Sequence, residues 1–264
     1  MAKMWPNCEY EHINTTIDFA LKSYIPLCYS QKIGLATTGK MLPMNKARTK
    51  AISRIGPHNK EVLDIIICGM LGDFWADKIP GKVLNSVRFN IEQSISHSAY
   101  IHFLTLLFYN LGYCSRPIPT LVKKSDRVLD DRFNYRLNLF SFTSFIWIYD
   151  TFYKTINGVT IKIVPYYIAE FLTPLGLAHL IMQDGSYQKG QGISLATNSF
   201  SYDECVFLAS ILTNKFGFKT SVTKTGVPNQ WRISIWKQSM PLLRQLVKPY
   251  FIPEMEYKLG PSES

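Results

Sequence analysis

The sequence has few cysteines, and their spacing excludes two common uses of this residue. Five cysteines are scattered through 264 residues without a C-x-x-C pair. Structural zinc sites need closely spaced ligands, and small secreted domains need an even, dense set of cysteines. The sequence therefore argues against both and favours a reducing compartment.

Long apolar runs and metal-spaced histidines are missing as well. No run approaches the roughly 18 to 20 apolar residues that a membrane-spanning helix needs. The first ten residues lack both the apolar stretch of a secretory signal and the arginines of a transit peptide. We therefore expect no membrane partner, and synthesis inside the organelle if the protein works in one.

The five histidines form no metal-spaced cluster, which disfavours a ββα-metal nuclease: His12, His58, His97, His102 and His179.

Acidic residues are scarce relative to basic ones. There are 29 Lys and Arg against 19 Asp and Glu, a formal net charge of +10. This balance favours a polyanionic partner, although a soluble basic protein without one also fits it. Five bases occur in an acid-free stretch that fits either a phosphate-contacting arm or a solvated tail. They are Lys40, Lys46, Arg48, Lys50 and Arg54.

Two segments that resemble each other dominate the remaining sequence. Residues 61–73 and 170–185 are apolar runs of helix length with small residues, ending on Asp73 and Asp184–Gly185 respectively. The C-terminal end of a helix carries partial negative charge, so an aspartate there is unfavourable unless a cation lies nearby. Small residues allow close helix packing. If the two helices pack side by side, Asp73 and Asp184 meet.

The sequence after each segment supports an internal duplication. In the first half, an alternating stretch at 87–93 and a helical stretch are followed by a strand at 133–139 and a closing helix at 143–153. In the second half, the same order gives an alternating stretch at 193–198, a helical stretch, a strand at 231–235 and a closing helix at 241–250. We predict an α+β fold with two pseudo-symmetric αββαββα repeats, antiparallel sheets and motif helices packed at the repeat interface. The predicted divisions are an N-terminal extension at 1–57 and repeats at 58–157 and 158–264.

Period-two alternation in these strands separates an apolar face from a polar one. The polar face is rich in Arg, Asn, Gln and Ser, which hydrogen-bond base edges. A nucleic-acid-binding face is favoured over a merely solvated one. The candidate DNA-binding residues are Arg88, Asn90, Gln93, Asn134, Arg136, Asn138, Ser194, Asn198, Lys224, Arg232 and Ser234.

Several motifs resemble the LAGLIDADG homing endonucleases, specifically the single-chain, two-repeat type encoded by organellar group I introns. The resemblance rests on Leu71-Gly72-Asp73, on residues 172–178 and 182–185, and on residues 248–253, and it covers roughly residues 56–260. It implies a saddle of two sheets over duplex DNA, a monomer with an internal pseudo-dimer, and a mitochondrial or other organellar location.

Paired aspartates suit phosphodiester hydrolysis, which needs an activated water and charge neutralisation at the phosphate. Hard divalent cations supply both, so we expect Mg²⁺, or Mn²⁺ or Ca²⁺ in its place, on Asp73 and Asp184. The exposed helix-end carbonyls of Gly72 and Gln183 are natural additional ligands.

The resemblance implies further site residues. Lys162 and Gln230 match the positions of the family's basic or amide residues that orient water near each active site. Two departures concern Gln183, where many relatives have aspartate, and Phe74, where glycine is common.

The main hypothesis is a site-specific, metal-dependent double-strand DNA endonuclease that leaves 3′ overhangs and promotes group I intron mobility. The alternative is a maturase that binds its group I intron RNA, and a degenerate DNA-binding module is a third possibility. Retention of both aspartates favours the nuclease, because splicing assistance does not require them.

Overall fold

The computed structural model describes residues 50–54, 57–124 and 132–261. Lys40, Lys46 and Arg48 of the predicted arm lie outside these ranges. The first half comprises α1 (Lys60–Gly69), β1 (Phe74–Ile79), β2 (Ser86–Ser94), α2 (Ser98–Asn110), β3 (Thr120–Lys124), β4 (Arg132–Asn138) and α3 (Ile146–Phe152). The connection contains β5 (Tyr153–Ile156), β6 (Val159–Lys162) and the short α4 (Ile168–Phe171).

The second half repeats the order of the first. It comprises α5 (Pro174–Asp184), β7 (Gly185–Gln188), β8 (Gly192–Ala196), α6 (Tyr202–Phe216), β9 (Thr220–Lys224), β10 (Trp231–Trp236) and α7 (Met240–Val247), followed by a 3-10 helix at Pro253–Leu259. The antiparallel sheets run β1-β2-β4-β3 and β7-β8-β10-β9. This order confirms the predicted α+β fold with two αββαββα repeats.

Strand register gives a residue-by-residue correspondence between the two sheets. Phe74 pairs with Ile91 and Ile91 with Leu137, while Gly185 pairs with Leu195 and Leu195 with Ile233. Because Asp73 and Asp184 directly precede Phe74 and Gly185, the two acids occupy equivalent positions. The same register makes Glu92 equivalent to Ala196 and Arg136 equivalent to Arg232.

The two motif helices α1 and α5 pack against each other through small residues. A Cβ atom added at Gly176 would overlap the Cys68 Sγ and lie 2.8 Å from the Phe171 carbonyl oxygen. The side chains of Ile65, Ile66 and Leu177 are completely buried around this contact. Glycine is therefore what lets the second helix approach the first.

Each motif helix begins at a recognisable cap. The Asn59 side chain accepts a hydrogen bond from the Glu61 N–H (2.9 Å), and the Thr173 side chain accepts one from the Gly176 N–H (3.2 Å). Pro174 follows Thr173 in the first helical turn, where a missing N–H has no cost. The segment predicted as one run from residue 170 is thus divided into α4 and α5 by this cap.

The connection between the halves begins with a β-hairpin. Asn157 and Gly158 have φ angles of 50° and 79° between β5 and β6. Two successive positive φ angles define the tight hairpin turn that Asn-Gly favours. The hairpin carries Lys162 at its end.

Candidate active site and nucleic-acid interface

Asp73 and Asp184 lie together at the C-terminal ends of the packed motif helices. The backbone N–H of Asp73 donates to the Gln183 side-chain oxygen at 3.0 Å. A Cβ atom added at Gly72 would lie 2.6 Å from both the Asp184 Oδ2 and the Gln183 Oε1. The absence of a side chain at Gly72 therefore allows the two acids to approach.

The shared location of the two carboxylates changes their protonation. Burial, and then the charge of Asp73, raise the pKa of Asp184 to about 7. Burial also raises the pKa of Asp73, although the Gln93 amide and nearby lysines oppose that increase. Two adjacent buried carboxylates disfavour being charged together. The site therefore favours a compensating cation or a proton.

Two lysines contact the ends of the motif helices. Lys162 Nζ donates to the carbonyl oxygens of Gly72 (3.3 Å) and Phe74 (2.8 Å). Lys258, in the 3-10 helix after α7, donates to the Met182 and Gln183 carbonyls at 2.7 and 2.8 Å. Ammonium groups at helix C-termini offset the negative end of the helix dipole.

Burial lowers the pKa of both ammonium groups, and the aspartates oppose that decrease. The pKa of Lys162 falls to about 8, and that of Lys258 falls below its ordinary value. Lys162 therefore remains largely protonated near neutral pH, and both lysines give up a proton more readily than a surface lysine does.

Hydrogen bonds fix the side chains around the acids. Gln93 donates to Asp73 Oδ2, and its carbonyl oxygen lies 3.3 Å from His97 Nδ1. Gln183 donates to the Tyr100 hydroxyl at 2.9 Å, and that hydroxyl lies 3.0 Å from His179 Nδ1.

The donor set fits a magnesium-like ion. Within the described ranges, no group of three or more His, Cys, Asp and Glu side chains is assembled. Two carboxylates and the helix-end carbonyls suit a small hard cation that retains several waters. The carbonyls of Gly72 and Gln183 each accept a lysine hydrogen bond but have two lone pairs.

The structure brings together five of the predicted site residues: Gly72, Asp73, Lys162, Gln183 and Asp184. Gln230 instead lies in the turn between β9 and β10, where its backbone contacts Thr225 and Val227. Lys258 contacts the end of α5, and sequence reasoning missed it. Its position after the second closing helix matches that of Lys162 after the first, so the duplication itself was the available signal.

Five of the six DNA-binding residues predicted in the first sheet lie on its outer face: Arg88, Asn90, Asn134, Arg136 and Asn138. Asn90 is only 1% exposed, and its amide donates to Asp77 at 3.0 Å. Gln93 is also buried, on the helix-facing side with Ile91, and it contacts Asp73.

On the second sheet the predicted residues fall on two faces. Ser194, Arg232 and Ser234 share the outer face, and Asn198 is exposed in the turn after β8. Lys224 pairs with Trp231 and so lies on the opposite face from Arg232. Its Nζ is 5.6 Å from the centroid of the Trp231 ring.

The LAGLIDADG DNA endonuclease family model matches residues 63–243, which include most of α1, all of α5 and both sheets. The chain belongs to this family. Within it, the chain resembles Cytochrome b mRNA maturase bI2 of Saccharomyces cerevisiae, with 37% identity over 224 residues, or 83% of this chain and 52% of the relative. The chain thus spans about half the length of that relative.

Two other LAGLIDADG comparisons cover more of the matched protein. Cytochrome b mRNA maturase bI2 of Debaryomyces hansenii is 36% identical over 225 residues, which is 83% of this chain and 81% of the relative. The solved structure of the homing endonuclease I-WcaI bound to its DNA recognition sequence has a TM-score of 0.66 and 25% identity, covering 87% of this chain and 96% of that one. None of the described helices of this family member has the length and apolarity to cross a bilayer.

Proposed function

We propose that this LAGLIDADG protein is a site-specific endonuclease that cleaves both strands of duplex DNA with a divalent metal and thereby promotes group I intron mobility. The observation that carries the proposal is the meeting of Asp73 and Asp184 at the ends of two packed helices. The yeast relatives support a mitochondrial location, and the internal repeat supports action as a monomer.

The residues of the site divide the chemical work. Asp73 and Asp184 would hold the cation, with the carbonyls of Gly72 and Gln183 beside them. A bound Mg²⁺, Mn²⁺ or Ca²⁺ would supply charge neutralisation at the phosphate, and Mg²⁺ or Mn²⁺ also activation of water. Lys162 and Lys258 contact the C-terminal ends of the first and second motif helices respectively, where an ammonium can stabilise negative charge that develops on the phosphate.

The outer faces of the two sheets would contact the DNA. Arg88, Arg136 and Arg232 present guanidinium groups, and Ser194 and Ser234 present hydroxyls, on faces that a duplex can approach. Arginine pairs with guanine edges, and serine hydrogen-bonds several bases. Gln230 and Asn198 extend the same edge of the second sheet as proposed contacts.

The test uses the full chain and a plasmid carrying the intron-free junction of the host gene. We expect linearised plasmid with Mg²⁺ or Mn²⁺ and none with a chelator. Asp73→Asn and Asp184→Asn should each slow double-strand cleavage by at least about a hundredfold while duplex binding persists. Undiminished cleavage by either variant contradicts the catalytic assignment.

A maturase that binds its own group I intron RNA is the second candidate, and the two maturase relatives specifically favour it. The same basic charge attracts RNA. Splicing of the intron transcript should then accelerate with added protein and remain unchanged in Asp73→Asn, whereas DNA cleavage is lost. A splicing rate that does not change when the protein is added contradicts this candidate.

A further inference from the structure

A carboxylate lies at the centre of the first sheet's outer face. Glu92 receives hydrogen bonds from Asn134 (2.8 Å) and from Arg136 Nε and Nη2 (2.8 and 2.6 Å), and Lys124 Nζ lies 2.7 Å from it. Burial opposes ionisation, but these contacts outweigh it and lower the pKa of Glu92 to about 2. Glu92 is therefore charged at neutral pH.

A second acid on the same face has a similar role. Asp77 Oδ2 accepts hydrogen bonds from Arg88 Nη2 at 3.1 Å and from Asn90 Nδ2 at 3.0 Å. Together, Glu92 and Asp77 contact four of the side chains that the sequence predicts to bind DNA. These side chains are held in place before any nucleic acid arrives.

The second sheet has no acid at either equivalent position. By strand register, Ala196 corresponds to Glu92 and Gln188 to Asp77. Arg232, the counterpart of Arg136, donates to the Thr223 hydroxyl at 3.3 Å. All the described residues on this outer face of β7, β8, β9 and β10 are neutral or basic. The side chains here are less constrained than those on the first sheet.

An acid on a surface that contacts a polyanion weakens non-specific affinity, because each removed phosphate contact lowers the gain from counterion release. Holding an arginine in place before DNA binds increases specificity. Ordering a long side chain on binding costs conformational entropy, and a side chain that is already held in the matching geometry avoids that cost for the base that fits. A wrong base also meets donors that cannot adjust to it.

We infer that Glu92 is a positioning residue for DNA specificity, which holds Arg136 and Asn134 so that the half-site under the first sheet is recognised stringently. The second sheet lacks this acid and tolerates more sequence variation in its half-site. The inference rests on the proposed function, because it assumes that both sheets contact duplex DNA.

The experiment is a binding selection by the full chain from a pool of randomised duplexes, performed with a chelator so that no DNA is cut. Wild type is compared with Glu92→Gln and with Ser234→Ala, a second-sheet variant that identifies the other half-site. We expect one half of the wild-type consensus to be more stringent. Glu92→Gln should lower base discrimination in that half by about tenfold, leave the other half unchanged, and increase binding to non-specific duplex.

Ala196→Glu tests the same inference in the other direction. The new carboxylate lies opposite Arg232, as Glu92 lies opposite Arg136. It should sharpen base preference in the second half-site and weaken non-specific binding. This variant preserves the test if Glu92→Gln unfolds, which thermal unfolding reveals.

The outcomes separate the inference from the function. Equal stringency in both halves, or a Glu92→Gln change spread over both, overturns the inference while specific DNA binding stands. A merely structural role for Glu92 would weaken binding everywhere and would not increase non-specific affinity. A pool without any enriched sequence overturns the proposed DNA function and the inference with it.

Discussion

The acids of the two motif helices occupy equivalent positions but have different neighbours. Asp73 receives a hydrogen bond from the Gln93 side chain. Strand register places Thr197 where Gln93 would be in the second half, and its hydroxyl donates instead to the Trp231 carbonyl at 2.9 Å. Asp184 therefore lacks a counterpart of the Gln93 contact. Burial, and then the charge of Asp73, raise its pKa to about 7.

Unlike the two carboxylates, the lysines of the two halves make equivalent contacts. Lys162 and Lys258 come from different elements, a strand and a 3-10 helix, yet each donates to two carbonyls at the end of one motif helix. The duplication has thus retained the arrangement of charge at the helix ends, whereas the hydrogen bonding of each carboxylate has diverged.

The largest expected effect on cleavage comes from substitution of the two lysines. Lys162→Met and Lys258→Met should each slow double-strand cleavage by about a hundredfold, because each removes one ammonium from the reacting phosphate. Since the two lysines contact the ends of different motif helices, each variant should accumulate nicked DNA with a different strand cut. Strand-specific end labels measure this.

Lys215→Met is the matched control for the lysine variants. Its ammonium also donates to a main-chain carbonyl, that of Ala169 at 2.6 Å, but at the far end of the motif helices. Its cleavage rate should remain within about twofold of wild type. If both site variants nick the same strand, the assignment of one lysine to each half is wrong.

A smaller effect is expected from the amide that only the first half has. Gln93→Leu should slow cleavage by about tenfold, because Asp73 loses the hydrogen bond that orients it. Thr197→Val, at the equivalent position, should change the rate by less than about threefold. Rates with saturating Mg²⁺ compare the two variants, and equal losses would remove the asymmetry between the acids.

The sequence predicted the parts of this site that follow from repetition and could not predict the parts that follow from tertiary packing. Asp73 and Asp184 were found because an acid ending an apolar helix is electrostatically unusual. Lys258 was missed because no local pattern marks it, and only its place after the second closing helix, like that of Lys162 after the first, points to it. Gln93 was assigned to DNA for its amide side chain, although strand alternation places it with Phe89 and Ile91 on the helix-facing side, where it meets Asp73.

The β5–β6 hairpin carries a local signal in the sequence. Asn157 and Gly158 form a dipeptide that is typical of a tight turn between two short strands. The pairing of Glu92 with Arg136 instead required strand register, which depends on both strands and the long connection between them. A turn of this kind can be predicted from the sequence, and cross-strand contacts cannot.

Without metal, the two carboxylates should destabilise the folded state to different extents. The pKa of folded Asp184 lies near 7, above its ordinary value of 3.8, so the folded state binds the extra proton and stability falls as pH rises between those values. Asp184→Asn removes this cost. Its midpoint of thermal unfolding should exceed that of wild type at pH 8 by roughly 5 °C and should show no gain at pH 4.

Asp73→Asn should raise the unfolding temperature less, because Asp73 already has the Gln93 hydrogen bond. Calorimetry in a chelator gives both values. Mg²⁺ should then stabilise wild type but neither variant, since only a complete pair binds the ion tightly. A wild-type stability that is flat between pH 4 and 8 contradicts the proposed carboxylate coupling.

The smallest effect concerns the N-terminal ends of the same two helices, which are capped differently. The Thr173 hydroxyl accepts the Gly176 N–H and also donates to Asp64 Oδ2 of α1 at 2.9 Å, and Asp64 is only 3% exposed. Asn59 makes one exposed contact, with the Glu61 N–H. Thr173→Ala therefore loses a cap and leaves a buried carboxylate short of a donor, and should cost about 2 kcal/mol of unfolding free energy against about 1 for Asn59→Ala. Thr173→Ser keeps the hydroxyl and should be nearly neutral in urea unfolding. Equal costs for the two alanine variants would show that Asp64 adds nothing across the repeat interface, and that the helices are held together by apolar packing alone.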